Sequence, residues 1–85
     1  MEDKKFFGKY IREKRLGANL TQKSFAEQLF VTESAVSKWE RGLSYPDITL
    51  ITDISRLLGI SEKELLMASE DVQGRRQESL ANQYL

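Results

Sequence analysis

Residues 20–42 read LTQKSFAEQLFVTESAVSKWERG, and this stretch decides which fold the chain is expected to adopt. It contains two short segments with nonpolar residues at helical spacing, and a threonine precedes each of them. Thr21 and Thr32 are suited to cap a helix, because a threonine hydroxyl accepts a hydrogen bond from the free backbone amides of the first turn. We therefore predict one helix at 22–29 and a second at 33–41.

The two predicted helices have nonpolar faces that would pack against each other. The inner face of the first helix consists of Phe25, Ala26 and Leu29, and that of the second consists of Val36 and Trp39. Ala26 is small, which would let the second helix cross the first closely. The pattern therefore predicts a tightly packed helix pair with a short connection.

Three further helices are predicted around this pair. The N-terminal helix, near 4–17, has inward positions three or four residues apart, at Phe7, Ile11, Arg15 and Ala18. After the pair, Asp47 is expected to cap a helix that ends at Gly59, and Ser61 with Glu64 is expected to form a capping box for the last helix. The predicted fold class is all-α, a compact five-helix bundle.

The composition excludes several classes of function. The chain has 85 residues, enough for one domain, and it contains neither cysteine nor histidine. Thiolate metal sites, cysteine nucleophiles and the commonest general base are therefore absent, and we expect no enzyme, no cofactor and no metal site. The longest nonpolar runs, LLGI and LLMA, are too short for a membrane span, and no signal peptide is evident, so we expect a cytoplasmic protein.

Charge and polarity divide the chain into two unequal parts. Residues 1–42 contain nine Lys or Arg and six Asp or Glu, whereas residues 43–85 contain four and seven. The N-terminal half is therefore the one expected to face a polyanion. We predict a domain at 1–67 and a polar tail or linker at 68–85, where only Leu80, Ala81, Tyr84 and Leu85 keep a helical spacing.

The pair at 22–41 is either an ordinary helical hairpin or a DNA-binding helix-turn-helix. Its outward-facing side chains favour the second interpretation, because they are flexible or short and can donate or accept hydrogen bonds at base edges. These residues are Glu33, Ser34, Ser37, Lys38 and Arg41. Thr21 and Gln22 lie at the start of the first helix, where backbone and side-chain amides can hold a phosphate.

The longer stretch LTQKSFAEQLFVTESAVSKWERGLSYPDITLITDISRLLGISEKELL resembles the lambda-repressor-like, Cro-type helix-turn-helix family, also called the XRE family. The matching motifs are LTQ, the alanine four residues after Gln22, SAVSKWERG, YPD, and LLGIS followed by ELL, and the match covers about residues 7–66. The resemblance implies a transcriptional regulator with its third helix in the major groove of double-stranded DNA. It also implies a homodimer on a near-palindromic operator.

The resemblance further implies roles for individual residues. Glu33, Ser34 and Lys38 would reach base edges, with lysine suited to guanine O6 and N7 and glutamate to cytosine N4. Contacts to phosphates would come from Thr21, Gln22, Lys23, Ser37 and Arg41. Arg15 lies on the nonpolar stripe of the first helix, where an unpaired charge would be costly, and in the family an arginine and a glutamate pair at the positions of Arg15 and Glu40.

Two residues depart from the family pattern. Phe30 stands where the family usually has a glycine with positive φ, so we expect either a remodelled turn or a Phe30 side chain that compensates for the strain by packing. Glu33 suits the helix dipole but repels phosphates. Two other functions remain open: an antitoxin-like or other protein-interaction module on the same fold, and the DNA-targeting end of a longer protein.

Overall fold

The computed structural model describes residues 3–69, and within that range the chain forms an all-α bundle, as predicted. Its five α-helices are α1 (Asp3–Gly17), α2 (Gln22–Leu29), α3 (Glu33–Glu40), α4 (Ile51–Leu58) and α5 (Glu62–Ala68), and a single 3₁₀ turn at Ile48–Leu50 precedes α4. None of these helices is long and nonpolar enough to cross a lipid bilayer. The helical seam expected at Leu80, Ala81, Tyr84 and Leu85 lies outside the described residues.

Local hydrogen bonds begin α2, α3 and α5 at the residues that the sequence predicts. Thr21 Oγ1 accepts from the Ser24 amide at 2.9 Å, and Thr32 Oγ1 accepts from the Ala35 amide at 3.0 Å. A reciprocal capping box, formed by Ser61 with the residue three positions later, begins α5. Helices of seven or eight residues are only marginally stable in isolation. Because such helices contain few internal hydrogen bonds, each capping bond supplies a large share of their stability.

Asp47 caps the 3₁₀ turn and not α4. Its carboxylate accepts from the Thr49 amide at 2.9 Å and from Thr49 Oγ1 at 2.7 Å, and these bonds hold the pKa of Asp47 below its usual value. The helix α4 begins at Ile51, after Leu50, without a side-chain cap. The predicted cap was therefore displaced, because an aspartate that binds the amide two residues later favours a turn over a helix start.

The hydrophobic core takes side chains from all five helices. The largest fully buried side chains are Phe7, Phe25, Ile11, Ile54, Leu65 and Val36. The inward faces predicted for α2 and α3 are buried throughout. Because α2 and α3 each direct one face into this core, their opposite faces remain at the surface.

Two glycines let the backbones of α1 and α3 touch. A Cβ atom at Gly8 would lie 2.5 Å from the carbonyl oxygens of both Trp39 and Glu40, so no larger residue fits there without moving the helices. A Cβ at Gly42, which has φ +76°, would lie 2.8 Å from the Cα of Lys5. The C-terminal end of α3 is therefore clamped against α1 at two points.

The turn between α2 and α3 contains a strained residue. Phe30 has φ 59° and ψ 39°, in the left-handed region, and its amide donates to the Glu27 carbonyl while the Val31 amide donates to the Ala26 carbonyl. The Phe30 residue is 94% exposed. Both expectations for this position were wrong, because the turn keeps the positive φ that favours glycine and the phenyl ring adds no packing.

We expect Phe30→Gly to raise the free energy of unfolding by about 1 kcal/mol, since glycine removes the clash of a left-handed residue and no packing is lost. Phe30→Ala is the matched control: it keeps a Cβ at the same φ, so its stability should stay within about 0.5 kcal/mol of the parent. Urea melts of the three proteins provide the comparison. Equal stability of the glycine and alanine variants would show that the turn is not strained.

Candidate nucleic-acid interface

Arg15 and Glu40 form a buried ion pair that joins α1 to α3. Arg15 Nε donates to Glu40 Oε2 at 2.6 Å, and Arg15 Nη2 donates to Glu40 Oε1 at 3.0 Å. The two side chains are only 7% and 3% exposed. The structure thus brings the two predicted partners together, in the two-pronged geometry that makes an arginine–carboxylate contact directional.

Two further groups complete what we call the Arg15–Glu40 cluster. Arg15 Nη1 donates to the Leu20 carbonyl at 2.7 Å, and Gln22 Nε2 donates to Glu40 Oε1 at 3.0 Å. The cluster therefore connects the end of α1, the start of α2 and the end of α3. Sequence reasoning expected Gln22 at a phosphate and missed this bond, because nothing in the local pattern links residues eighteen positions apart.

The face of α3 opposite the core is open to solvent. All three residues predicted to read bases, Glu33, Ser34 and Lys38, are exposed. Their side chains form no hydrogen bond or ion pair with any residue in the range 3–69. Because the fold does not use these donors and acceptors, they are available to a ligand.

The remaining predicted contact residues lie at the start of α2 and the end of α3. Thr21 and Lys23 are exposed, and the bond from Gln22 to Glu40 places the start of α2 beside the end of α3. Arg41 Nε donates to Ser37 Oγ at 3.1 Å and to the Ser37 carbonyl at 3.3 Å, which holds the guanidinium along the helix surface. The sequence predicted Arg41 as the last residue of this helix. In the structure the helix ends at Glu40, and Arg41 is its C-cap.

In this structure α3 packs against the core on one face and is exposed on the other, and it follows α2 through a tight turn. This arrangement defines a helix-turn-helix domain. A family model described as helix-turn-helix matches residues 11–65. The chain belongs to this family, in agreement with its resemblance to the Cro-type, or XRE, proteins.

Individual proteins support the same classification. The HTH-type transcriptional activator BcrR of Enterococcus faecalis is 41% identical over 64 residues, which are 75% of this chain and 31% of BcrR. The HTH-type transcriptional regulator DicA of Escherichia coli K12 is 36% identical over 66 residues, which are 78% of this chain and 49% of DicA. This chain thus spans less than half the length of either relative.

A solved structure agrees with the fold. The restriction-modification controller protein C.AhdI from Aeromonas hydrophila superposes with a TM-score of 0.69 at 29% identity, over 76% of this chain and 98% of C.AhdI. The similarity therefore extends over nearly the whole of that protein. Together, the comparisons confirm the prediction of a helix-turn-helix domain of the kind found in transcriptional regulators.

We expect Glu40→Ala and Arg15→Met each to lower the free energy of unfolding by about 3–5 kcal/mol, because each leaves a buried charge without its partner. A surface pair supplies the control: Asp53 accepts from Arg56 at 3.2 Å, and these side chains are 49% and 64% exposed. Asp53→Ala should therefore change stability by less than about 1 kcal/mol. The three variants are compared by denaturant melts. If Glu40→Ala and Arg15→Met also lowered the free energy of unfolding by less than that amount, the structural role of the Arg15–Glu40 pair would be contradicted.

Proposed function

We propose that this chain is a sequence-specific transcriptional regulator that binds double-stranded DNA with α3 in the major groove. One observation carries the proposal: α3 is held by the core and by the Arg15–Glu40 cluster, whereas the outer side chains of Glu33, Ser34 and Lys38 have no partner within the described residues. A helix presented in this way fits the width of the major groove, where base edges offer matching donors and acceptors. The names of BcrR and DicA, which describe a transcriptional activator and a transcriptional regulator, support this reading.

Base recognition is assigned to the exposed outer face of α3. Lys38 lies four residues after Ser34, so the two side chains share one stripe of the helix. The ammonium group of Lys38 suits guanine O6 and N7, and the carboxylate of Glu33 suits the N4 amino group of cytosine. The hydroxyl of Ser34 can donate or accept, so it tolerates more than one base.

Phosphate contacts are assigned to the residues that flank this stripe. At the start of α2, Thr21 and Lys23 are exposed where the helix dipole favours an anion. Gln22 contributes through its backbone amide, because its side-chain nitrogen donates to Glu40. The bond from Arg41 to Ser37 orients the guanidinium in advance, which lowers the entropic cost of a phosphate contact there.

A single α3 helix contacts too few base pairs to select one site in a genome. We therefore propose a homodimer on a near-palindromic operator, with two recognition helices about 34 Å apart. An antitoxin-like or other protein-interaction module is not favoured, since the relatives are named as transcriptional regulators. Three expectations stay predictions: a cytoplasmic location, the absence of catalytic activity, and a role as the DNA-targeting end of a longer protein.

Selection of bound duplexes from a random pool tests the proposed function. We expect enrichment of one sequence with two inverted half-sites about ten base pairs apart, centre to centre. Affinity for that duplex, measured by fluorescence anisotropy, should fall about a thousandfold between roughly 50 and 200 mM salt if the dimer neutralises about six phosphates. If no duplex is enriched, or if affinity does not respond to salt, the chain is not a sequence-specific DNA-binding protein.

Two substitutions separate base contacts from phosphate contacts on the selected duplex. Lys38→Ala should cost about 1–3 kcal/mol of binding free energy and relax the preference at one base pair, whereas Arg41→Ala should weaken binding to all sequences alike. Lys63→Ala, which removes an exposed lysine from α5, is the control and should leave affinity unchanged. A uniform loss across sequences in Lys38→Ala would move Lys38 to the phosphate-contacting group.

A further inference from the structure

We infer that Phe30 contacts the methyl group of a thymine at the edge of the DNA major groove. This contact rests on the proposed function, because it requires the N-terminal end of α3 to enter that groove. It adds to the polar residues of α3 a nonpolar contact from the turn before the helix, and so one further determinant of sequence preference.

The first reason is that the Phe30 side chain does not stabilise the fold, although the backbone of this residue is strained. The hydrogen bonds of the turn use backbone groups alone, with Phe30 N–H donating to the Glu27 carbonyl at 3.2 Å and Val31 N–H donating to the Ala26 carbonyl at 3.0 Å. Glycine would make the same bonds at φ 59° without a clash. A bulky, 94% exposed aromatic residue in a left-handed conformation therefore indicates a role outside the fold.

The second reason is the position of Phe30 in the proposed interface. It lies two residues before Thr32, the N-cap of α3. Successive Cα atoms are about 3.8 Å apart, so the Cα atoms of Phe30 and Glu33 are separated by at most about 11 Å. The exposed Phe30 therefore lies in the turn that leads directly into the base-reading residues Glu33 and Ser34, which are also exposed.

The third reason is chemical. A phenyl ring has no donor for a phosphate, whereas the thymine C5-methyl is the nonpolar group that the bases present in the major groove. The exposed carboxylates of Glu27 and Glu33, on either side of Phe30 in the sequence, repel phosphates and favour a contact with a base. The exposed residues next to Phe30 in sequence are polar, unlike the continuous nonpolar patches typical of protein interfaces.

The experiment compares the 85-residue chain with its Phe30→Ala variant on the selected duplex and on duplexes in which one thymine at a time is replaced by deoxyuridine. Each replacement removes one methyl group and leaves the hydrogen-bonding edges intact. We expect the parent protein to lose affinity about fourfold at one thymine in each half-site, the factor for one buried methyl group. Phe30→Ala should bind the parent duplex more weakly and should not distinguish thymine from deoxyuridine at that position.

Leu66→Ala is the control variant, because it removes a partly exposed nonpolar residue from α5 and should keep the parent ratio of thymine to deoxyuridine affinity. If the parent and Phe30→Ala proteins give the same ratio at every thymine, the inference is overturned and the proposed function stands. If Phe30→Ala changed only the self-association of the protein, as measured by sedimentation, Phe30 would be assigned to a protein contact, and the inference of a thymine contact would also be overturned. If the parent protein binds no duplex, both the function and this contact are refuted.

Discussion

The ion pair between Arg15 and Glu40 is the constraint on which the arrangement of the helices depends. Two charges with 7% and 3% exposed side chains are tolerated only when their hydrogen-bonding groups are matched, because each has lost its hydration. Three hydrogen bonds from α1 and one from α2 meet this requirement in a single geometry. If α3 moved, a buried charge would be left unpaired. The cluster therefore fixes the position of α3, which is too short a helix to fix its own position in the bundle.

Backbone contact reinforces the same end of α3. The absence of a side chain at Gly8 lets α1 rest on the carbonyl groups of Trp39 and Glu40, and Gly42 lets the following loop lie against α1. The loop is held in turn by an edge-to-face contact between Tyr45 and Phe7, with ring centroids 5.3 Å apart. The C-terminal end of α3 is thus fixed from several directions, and the outer face of the helix remains exposed.

This division between a fixed inner face and an open outer face accounts for how so small a domain can present a binding surface. The core is built mainly from nonpolar side chains, and its buried charge at Arg15 is paired with Glu40, whereas Glu33, Ser34 and Lys38 on the outer face of α3 have no partner among the described residues. The strained, exposed Phe30 belongs to the same surface and not to the core. Local rules of folding are broken here without compensation inside the bundle, which is where a functional role is expected.

The sequence by itself determined the helices and their inward faces. Caps such as Thr21 and Thr32 act over three residues, and the helical period shows which side chains face the core, so both are legible without tertiary structure. The open face of α3 follows from the same period. Arg15, a charge on a nonpolar stripe, signalled a buried partner, although it took a family resemblance to name Glu40.

Only the tertiary structure decided how these elements are held. The fit of Gly8 against Trp39 and the bond from Gln22 to Glu40 join residues that are far apart in the chain, so no local pattern predicts them. The exposure of Phe30 likewise depends on what surrounds the turn in space and not on its neighbours in sequence. Helix bounds are set by bonds within a few residues, whereas crossing points and exposed surfaces are set by packing between distant segments.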